Sequence, residues 1–285
     1  TYNIGKFEVT AGQYTEFLNA VAVTDTYGLY NPDIGNPAEW TYGCNIQRSG
    51  SPGSYTYSVL ADWADRPVNY VNWGNSARFV NWLTNGMPTG AQDLTTTEDG
   101  SYFLDGAISE GALLAVTRKS PEDGGRYYIP TEDEWYKAAF HKNDGVTGNY
   151  FDYPTSSDST PSNDLIDPDP GNNANFWDSD WTIGSPYYRT EAGEFELSES
   201  PYDTFDMAGN VFEWNEAIIY GSFRGIRGAS FLDGDFALHA APRGSYGPPT
   251  AGSFLIGFRV SEVPEPGTLS LLAMGGLAML RRRKS

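Results

Sequence analysis

Tyr14, Phe17, Leu18 and Val21 fall on one face at helical spacing, and Thr10 with Gln13 just ahead of them has the form of a capping box. A helix is therefore expected through "TAGQYTEFLNAV". A second is expected in "NWGNSARFVNWLT", with Trp73, Ala77 and Val80 on one face and Phe79 and Trp82 close by. The third is "PTEDEWYKAAF", where Pro130 precedes a Thr131 cap, Glu134 is its reciprocal partner, and early acids suit the helix N-terminus. "TYNIGKFEVT" reads as a strand. Elsewhere the pattern gives only short strands and long loops. Residues 26–66 show no clear period, 86–125 read as an inserted hairpin or small lobe, and 143–182 are rich in Asp, Asn, Pro and Ser. Loops of this length are expected to be functional or tied down, for instance by a metal. There is no internal repeat and no heptad pattern.

Charge narrows the function classes. Acids outnumber bases 37 to 18, for a formal charge of -19, and such a surface repels nucleic acid and anionic lipid. The single cysteine, Cys44, rules out an internal disulfide and a Cys-rich zinc site. His141 and His239 are the only two histidines, too few for a three-His metal centre. No "GxSxG", "HExxH" or "GxxxxGK[ST]" occurs. His141 reads as a helix-end cation and His239 as structural. Aromatic residues at 15% and 32 glycines suit a loop-rich α+β domain better than a helix bundle. The chain starts at Thr1, so a true N-terminus with any signal peptide is expected to be missing.

A series of phrases then lines up: "IGKFEVTAGQYTEFLNA", "RPVNYVNWGNSARFVNWL", "YYIPTEDEWYKAAF", "ANFWD", "FDMAGNVFEWNE", "RGIRGASF" and "GFRV". In this order and spacing, over about residues 2 to 260, the series resembles the sulfatase-modifying-factor family, the formylglycine-generating-enzyme domain. The resemblance implies an α+β fold related to the C-type lectin fold, over residues 1–262. It also implies a calcium ion in the "FDMAGNVFEW" loop, held by the carboxylates of Asp206 and Glu213 and the carbonyls of Gly209 and Val211. Mixed carboxylate and carbonyl oxygens suit calcium. The same phrase also reads as a plain Gly-Asn turn between strands, with Glu213 in solvent. A second family calcium site would use Asn175 and the carbonyl of Phe176.

One departure decides what chemistry to expect. Enzymes of this family hold copper with two cysteines just after an "RGGS"-like phrase, because thiolates hold Cu(I). Counted from Ser230, those positions are Asp233 and Leu238, so no copper and no formylglycine chemistry is expected. The family's cleft would persist as a binding groove, in which Trp40, Trp63, Trp177 and Trp181 either stack on a ligand or pack the loops.

Residues 263–285 resemble the PEP-CTERM sorting signal: Pro264, Glu265 and Pro266, an apolar run from Thr268 to Leu280, then Arg281, Arg282, Arg283 and Lys284. As a helix the run spans only ~20 Å against a bilayer core of ~30 Å. It is expected to reach across marginally, with the cations on the cytoplasmic side. The resemblance implies an exosortase-type sorting protease in a Gram-negative bacterium. It also implies transient membrane anchoring and a surface or extracellular body. The expectation is an exported, non-catalytic, calcium-stabilised binding domain whose partner is exopolysaccharide or a matrix protein. A divergent oxidoreductase of this family and a structural surface protein are the alternatives.

Overall fold

The structure is a computed structural model that describes residues 1–245 and 247–264. Calls on Glu265, Pro266, the apolar run and Arg281 to Arg283 lie outside the described residues. The helices are α1 (Ala11–Val21), α2 (Ala61–Ala64), α3 (Trp73–Thr84), α4 (Glu110–Ala115) and α5 (Glu132–Phe140). The strands are β1 (Asn3–Ile4), β2 (Gln47–Ser49), β3 (Thr56–Ser58), β4 (Tyr127–Tyr128), β5 (Trp177–Asp178), β6 (Asp180–Trp181), β7 (Phe212–Ile219), β8 (Phe223–Arg227), β9 (Gly244–Ser245), β10 (Ile256–Gly257) and β11 (Ser261–Glu262). Both expected capping boxes form: Thr10 with Gln13 opens α1, and Thr131 with Glu134 opens α5. They fix where the helices start because each satisfies backbone donors that no helical turn can reach.

The strands form an α+β architecture of small sheets. β11 lies between β1 and β4, antiparallel to both, so the two ends of the domain meet in one sheet. The other main sheet runs β10-β7-β8-β9, with β10 parallel to β7 and the remaining pairs antiparallel. The core lies between α1, α3 and these sheets. Phe17 packs edge-on to Phe79 at 5.2 Å, and Phe79 to Phe258 at 5.3 Å. Trp73 and Trp214 are fully buried beside them.

Residues 86–125 do not form the expected hairpin or separate lobe. They fold onto α3 and hold no strand, only α4, a 3-10 turn at Pro121–Asp123 and an isolated bridge from Tyr102 to Arg118. The cause is polar. Arg78 of α3 forms a two-bond pair with Glu98, at 2.7 and 2.9 Å, with both side chains buried. Asn81 donates to the carbonyls of Thr97 and Tyr102, both at 2.8 Å, and accepts from the amide of Tyr102. The later Asp-rich stretch is tied in the same way. Asp169 accepts from the amides of Gly171 and Leu197, from Asn173 and from Ser198. Side-chain hydrogen bonds tie this stretch down.

Candidate functional site

The "FDMAGNVFEW" loop leads into β7 along a tight path. Asp206, Gly209 and Asn210 all have positive φ, and Gly209 forms a parallel bridge with Asn175. The amide of Asn210 donates to the carbonyl of Asn175 at 2.8 Å, and the Asn175 side chain donates back to Asn210 Oδ1 at 3.1 Å. The expected ligand residues Asn175, Phe176, Asp206, Gly209, Val211 and Glu213 thus lie in two neighbouring segments. The carbonyls of Asn175 and Phe176, Asp206 Oδ2 and both oxygens of Glu213 accept hydrogen bonds within the protein. The carbonyl of Phe176 accepts from Thr182 at 3.2 Å and Asn163 at 3.4 Å, and its ring is buried.

Glu213 is neither solvated nor open. Arg259 donates through Nε to Oε2 at 2.5 Å and through Nη2 to Oε1 at 2.6 Å, and Trp135 Nε1 donates to Oε2 at 2.7 Å. Glu213 and Arg259 are completely buried. The guanidinium also reaches the carbonyls of Gly5 at 3.0 Å and Phe205 at 2.9 Å. Three donors on the two oxygens of Glu213, two of them from one guanidinium that carries a full positive charge, do not fit the expected calcium set. Arg259 supplies the counter-charge at the position where sequence reasoning put the ion. Among the described residues, no group of three Asp, Glu, His or Cys side chains is placed to hold a metal. "GFRV" and "FEVT" mark Arg259 and Glu8 in the sequence, but nothing in either phrase says which residues they face.

Glu8 is buried as well, beside the half-buried Asp206, and neither of its carboxylate oxygens has a hydrogen-bond partner. Burial, then the neighbouring Asp206, pushes its carboxyl well above the usual range, against the pull of Arg259. Asp206 accepts from the amide of Gly193 at 2.6 Å, yet burial pushes it up to about 6, with Glu213 and Glu194 adding to the rise. A carboxyl whose folded pKa is raised favours the folded state below its unfolded pKa, and that advantage is lost as pH rises through the folded value. The pair is thus expected to cost stability on going from about pH 4 to above pH 6. Other acids, such as Glu132 and Asp169, are shifted down and give the opposite slope. The clean readout is therefore the difference between wild type and Glu8→Gln in urea midpoint at pH 5 and pH 7.5. Glu8→Gln should be relatively more stable at the higher pH, and parallel pH profiles would show that Glu8 does not hold a proton in the folded state.

The two copper positions are closed. Ser230 donates through its amide to Asp233 Oδ2 at 3.1 Å and through its hydroxyl to the same oxygen. Burial pushes the Asp233 carboxyl up. Leu238 is buried with Ala174, Phe176, Ala208 and Ala229, as an apolar core residue. Cys44 is buried in the main core, and burial raises its thiol pKa, which disfavours the thiolate. His239 lies 3.6 Å from Asp152, and its Nδ1 accepts from the amide of Ala241. His141 ends α5 as expected, with Nδ1 in contact with the hydroxyl of Tyr202 at 2.8 Å.

Next to Asp233 the surface is aromatic. The amide of Trp177 donates to the Asp233 carbonyl at 2.9 Å. The Trp177 ring stands edge-on to Trp181 at 4.7 Å. Trp181 in turn meets Tyr188 at 5.0 Å and Tyr42 at 6.5 Å, and Tyr42 leads on to Trp40 at 6.5 Å. Trp40 is 79% exposed and Trp177 37%. Trp63 does not join them, being buried against Tyr187 at 4.9 Å. Sequence reasoning missed the supports of this face. They are Tyr42, Tyr188 and Phe231, which form one buried cluster, and Arg189, which holds the carbonyl of Tyr42 at 2.7 Å. The positive φ of Tyr42 has no signal in the sequence beyond the Gly43 that follows it. The arrangement offers stacking surface and no redox ligand.

Comparison with known proteins identifies the family and the fold. The family model for the sulfatase-modifying factor enzyme 1-like domain matches residues 1–263. The model for the PEP-CTERM protein-sorting motif matches residues 262–284. No curated protein sequence matches. Among solved structures, Treponema denticola variable protein 1 is similar at 20% identity and a TM-score of 0.54, over 92% of this chain and 84% of that one. CarF is similar at 20% identity and a TM-score of 0.50, over 92% and 86%. PvdO from Pseudomonas aeruginosa is similar at 16% identity and a TM-score of 0.50, over 92% and 80%. These likenesses are of fold.

Proposed function

The chain belongs to the sulfatase-modifying factor enzyme 1-like domain family and carries a PEP-CTERM sorting signal that marks it for export, and from that premise we propose that its body is a non-catalytic binding domain. It acts at the cell surface or in the exopolysaccharide matrix after processing by an exosortase-type system. The observation that carries this reading is the loss of the thiolate pair: Asp233 is tied to Ser230, and Leu238 is packed into the core. A fold of this family without its copper ligands keeps its shape and loses its oxidant chemistry. What remains on that face is Trp40, Trp181 and Trp177 over the buried Tyr42, with Asp178 and Asp180 beside them. Alternating rings and carboxylates suit the apolar faces and hydroxyls of a neutral or amino sugar, so exopolysaccharide is the favoured partner over a matrix protein. Calcium is not part of this proposal, because Arg259 neutralises Glu213.

The test is retention of the body, without residues 265–285, on exopolysaccharide from an exosortase-bearing bacterium. Trp40→Ala together with Trp177→Ala should weaken retention by about tenfold or more, equivalent to ~1.4 kcal/mol. Because both rings are exposed, the melting temperature should stay unchanged. Equal retention by the double variant would remove the aromatic face from the reading. Turnover of a thiol substrate by the protein would replace the reading with the oxidoreductase alternative.

A further inference from the structure

A cavity of about 510 Å³ opens between β1, α1, α3 and β11, and none of the aromatic-face residues lines it. Its wall is mostly apolar, formed by Phe7, Phe79, Trp82, Leu83 and Met87. Met87 is more than half exposed and Phe7 is also exposed. Exposed apolar surface of this kind around a concavity marks a place where something binds. The same cavity is lined by Ser261 and Glu262 of β11, the strand from which the sorting tail departs.

We propose that this cavity is the docking site for the chain's own sorting tail, and that it takes apolar side chains from the run Thr268 to Leu280 before the tail is cut. Three observations identify the occupant. The first is position: Glu262 forms part of the cavity wall, the Val263 amide is fixed to the carbonyl of Arg126, and the apolar run begins five residues after Val263. Five extended residues span about 17 Å, enough to turn the chain back over the opening. The second is chemistry: "TLSLLAMGGLAML" offers Leu and Met side chains to a wall of Phe, Trp, Leu and Met, and glycines that allow a close bend. The third is charge: four of the 18 bases follow this run, the rest of the chain is strongly acidic, and at the cavity Glu8, Glu16 and an Arg126-paired Glu262 outnumber Lys6. The cavity admits a few side chains and not the whole run, so docking shelters part of the segment and leaves it free to be withdrawn into a membrane.

Docking of this kind depends on the covalent link. A tethered segment binds at an effective concentration of the order of millimolar, and that advantage vanishes when the tether is cut. Cleavage near Pro264, Glu265 and Pro266 therefore empties the cavity as it frees the body.

The test uses the full chain with single cysteines on each side; the native Cys44 is buried. Met87→Cys is combined in turn with Leu271→Cys, Leu272→Cys, Met274→Cys and Leu277→Cys, and intramolecular disulfide formation is followed under mild oxidation. Leu165→Cys, exposed and outside the cavity lining, replaces Met87→Cys as the control. At one or more tail positions the Met87 pair should close about a hundredfold faster than the Leu165 pair, the gain expected of a docked over a merely tethered segment. Phe7→Cys provides a second wall position should Met87→Cys disturb the loop. Equal rates at both wall positions and at Leu165 would overturn the proposal. Disulfide-linked dimers without intramolecular product would also overturn it, by assigning the cavity to a second copy.

Discussion

Arg259→Met is expected to lose ~3–5 kcal/mol of folding stability, enough to leave a domain of ordinary stability largely unfolded. The substitution strands the Glu213 carboxylate at a site with no access to water, with only Trp135 Nε1 left as a donor. It also strips the carbonyls of Gly5 and Phe205 of their donor, loosening the N-terminal segment and the entry to the "FDMAGNVFEW" loop together. Removing both charges, Arg259→Met with Glu213→Leu, should recover part of the loss, since an apolar pair of similar volume avoids the buried charge. Recovery stays incomplete because Trp135 Nε1 then has no acceptor. Urea unfolding of the single and double variants measures this. Wild type scanned with calcium and with chelator should give the same melting temperature. A single-variant loss below ~1 kcal/mol, or a calcium-dependent rise in melting temperature, would show that the ion, and not Arg259, balances Glu213.

Gly209→Ala is the second large effect. An added Cβ would sit 2.1 Å from the carbonyl oxygen of Asn175, and φ at this position is 77°. Neither side of that contact can yield easily, because Asn175 is held by Asn210 and by the carbonyl of Tyr188. A loss above ~2 kcal/mol is expected, beyond the ~1 kcal/mol typical of losing glycine's backbone freedom. Gly53→Ala is the control: φ is 90° there and nothing lies within 4 Å of the new Cβ. It should show only the smaller backbone cost. Similar losses for the two variants by urea unfolding would mean that the bridge between Gly209 and Asn175 is not a tight one.

What the sequence reveals and what it conceals divides along the reach of the forces involved. The starts of α1 and α5 are legible because a capping box is a local exchange between residues three apart. The bounds and partners of the two-residue strands are not: the strand read in the first ten residues shrinks to β1, which exists only where Asn3 meets Glu262 and Ile4 meets Ser261. The reading of 86–125 as a hairpin fails for a related reason. Glu98 is buried with Arg78 of α3, a pairing 20 residues apart that no local pattern in either segment encodes. The site shows the same split. The family phrases single out the segments of Asn175 and Gly209, though as two separate ion sites, and the structure joins them in one bridge. The ion pair of Glu213 links it to a residue 46 positions away, and the orphaned carboxylate of Glu8 faces Asp206 from the other end of the chain. No periodicity encodes either partnership.

The placement of β11 has a mechanical consequence. While the tail is held in a membrane, drag on the body enters the domain through Val263, immediately after a strand bonded on both sides, to β1 and to β4. A pull along that strand loads both ladders at once in shear, instead of peeling one bond at a time.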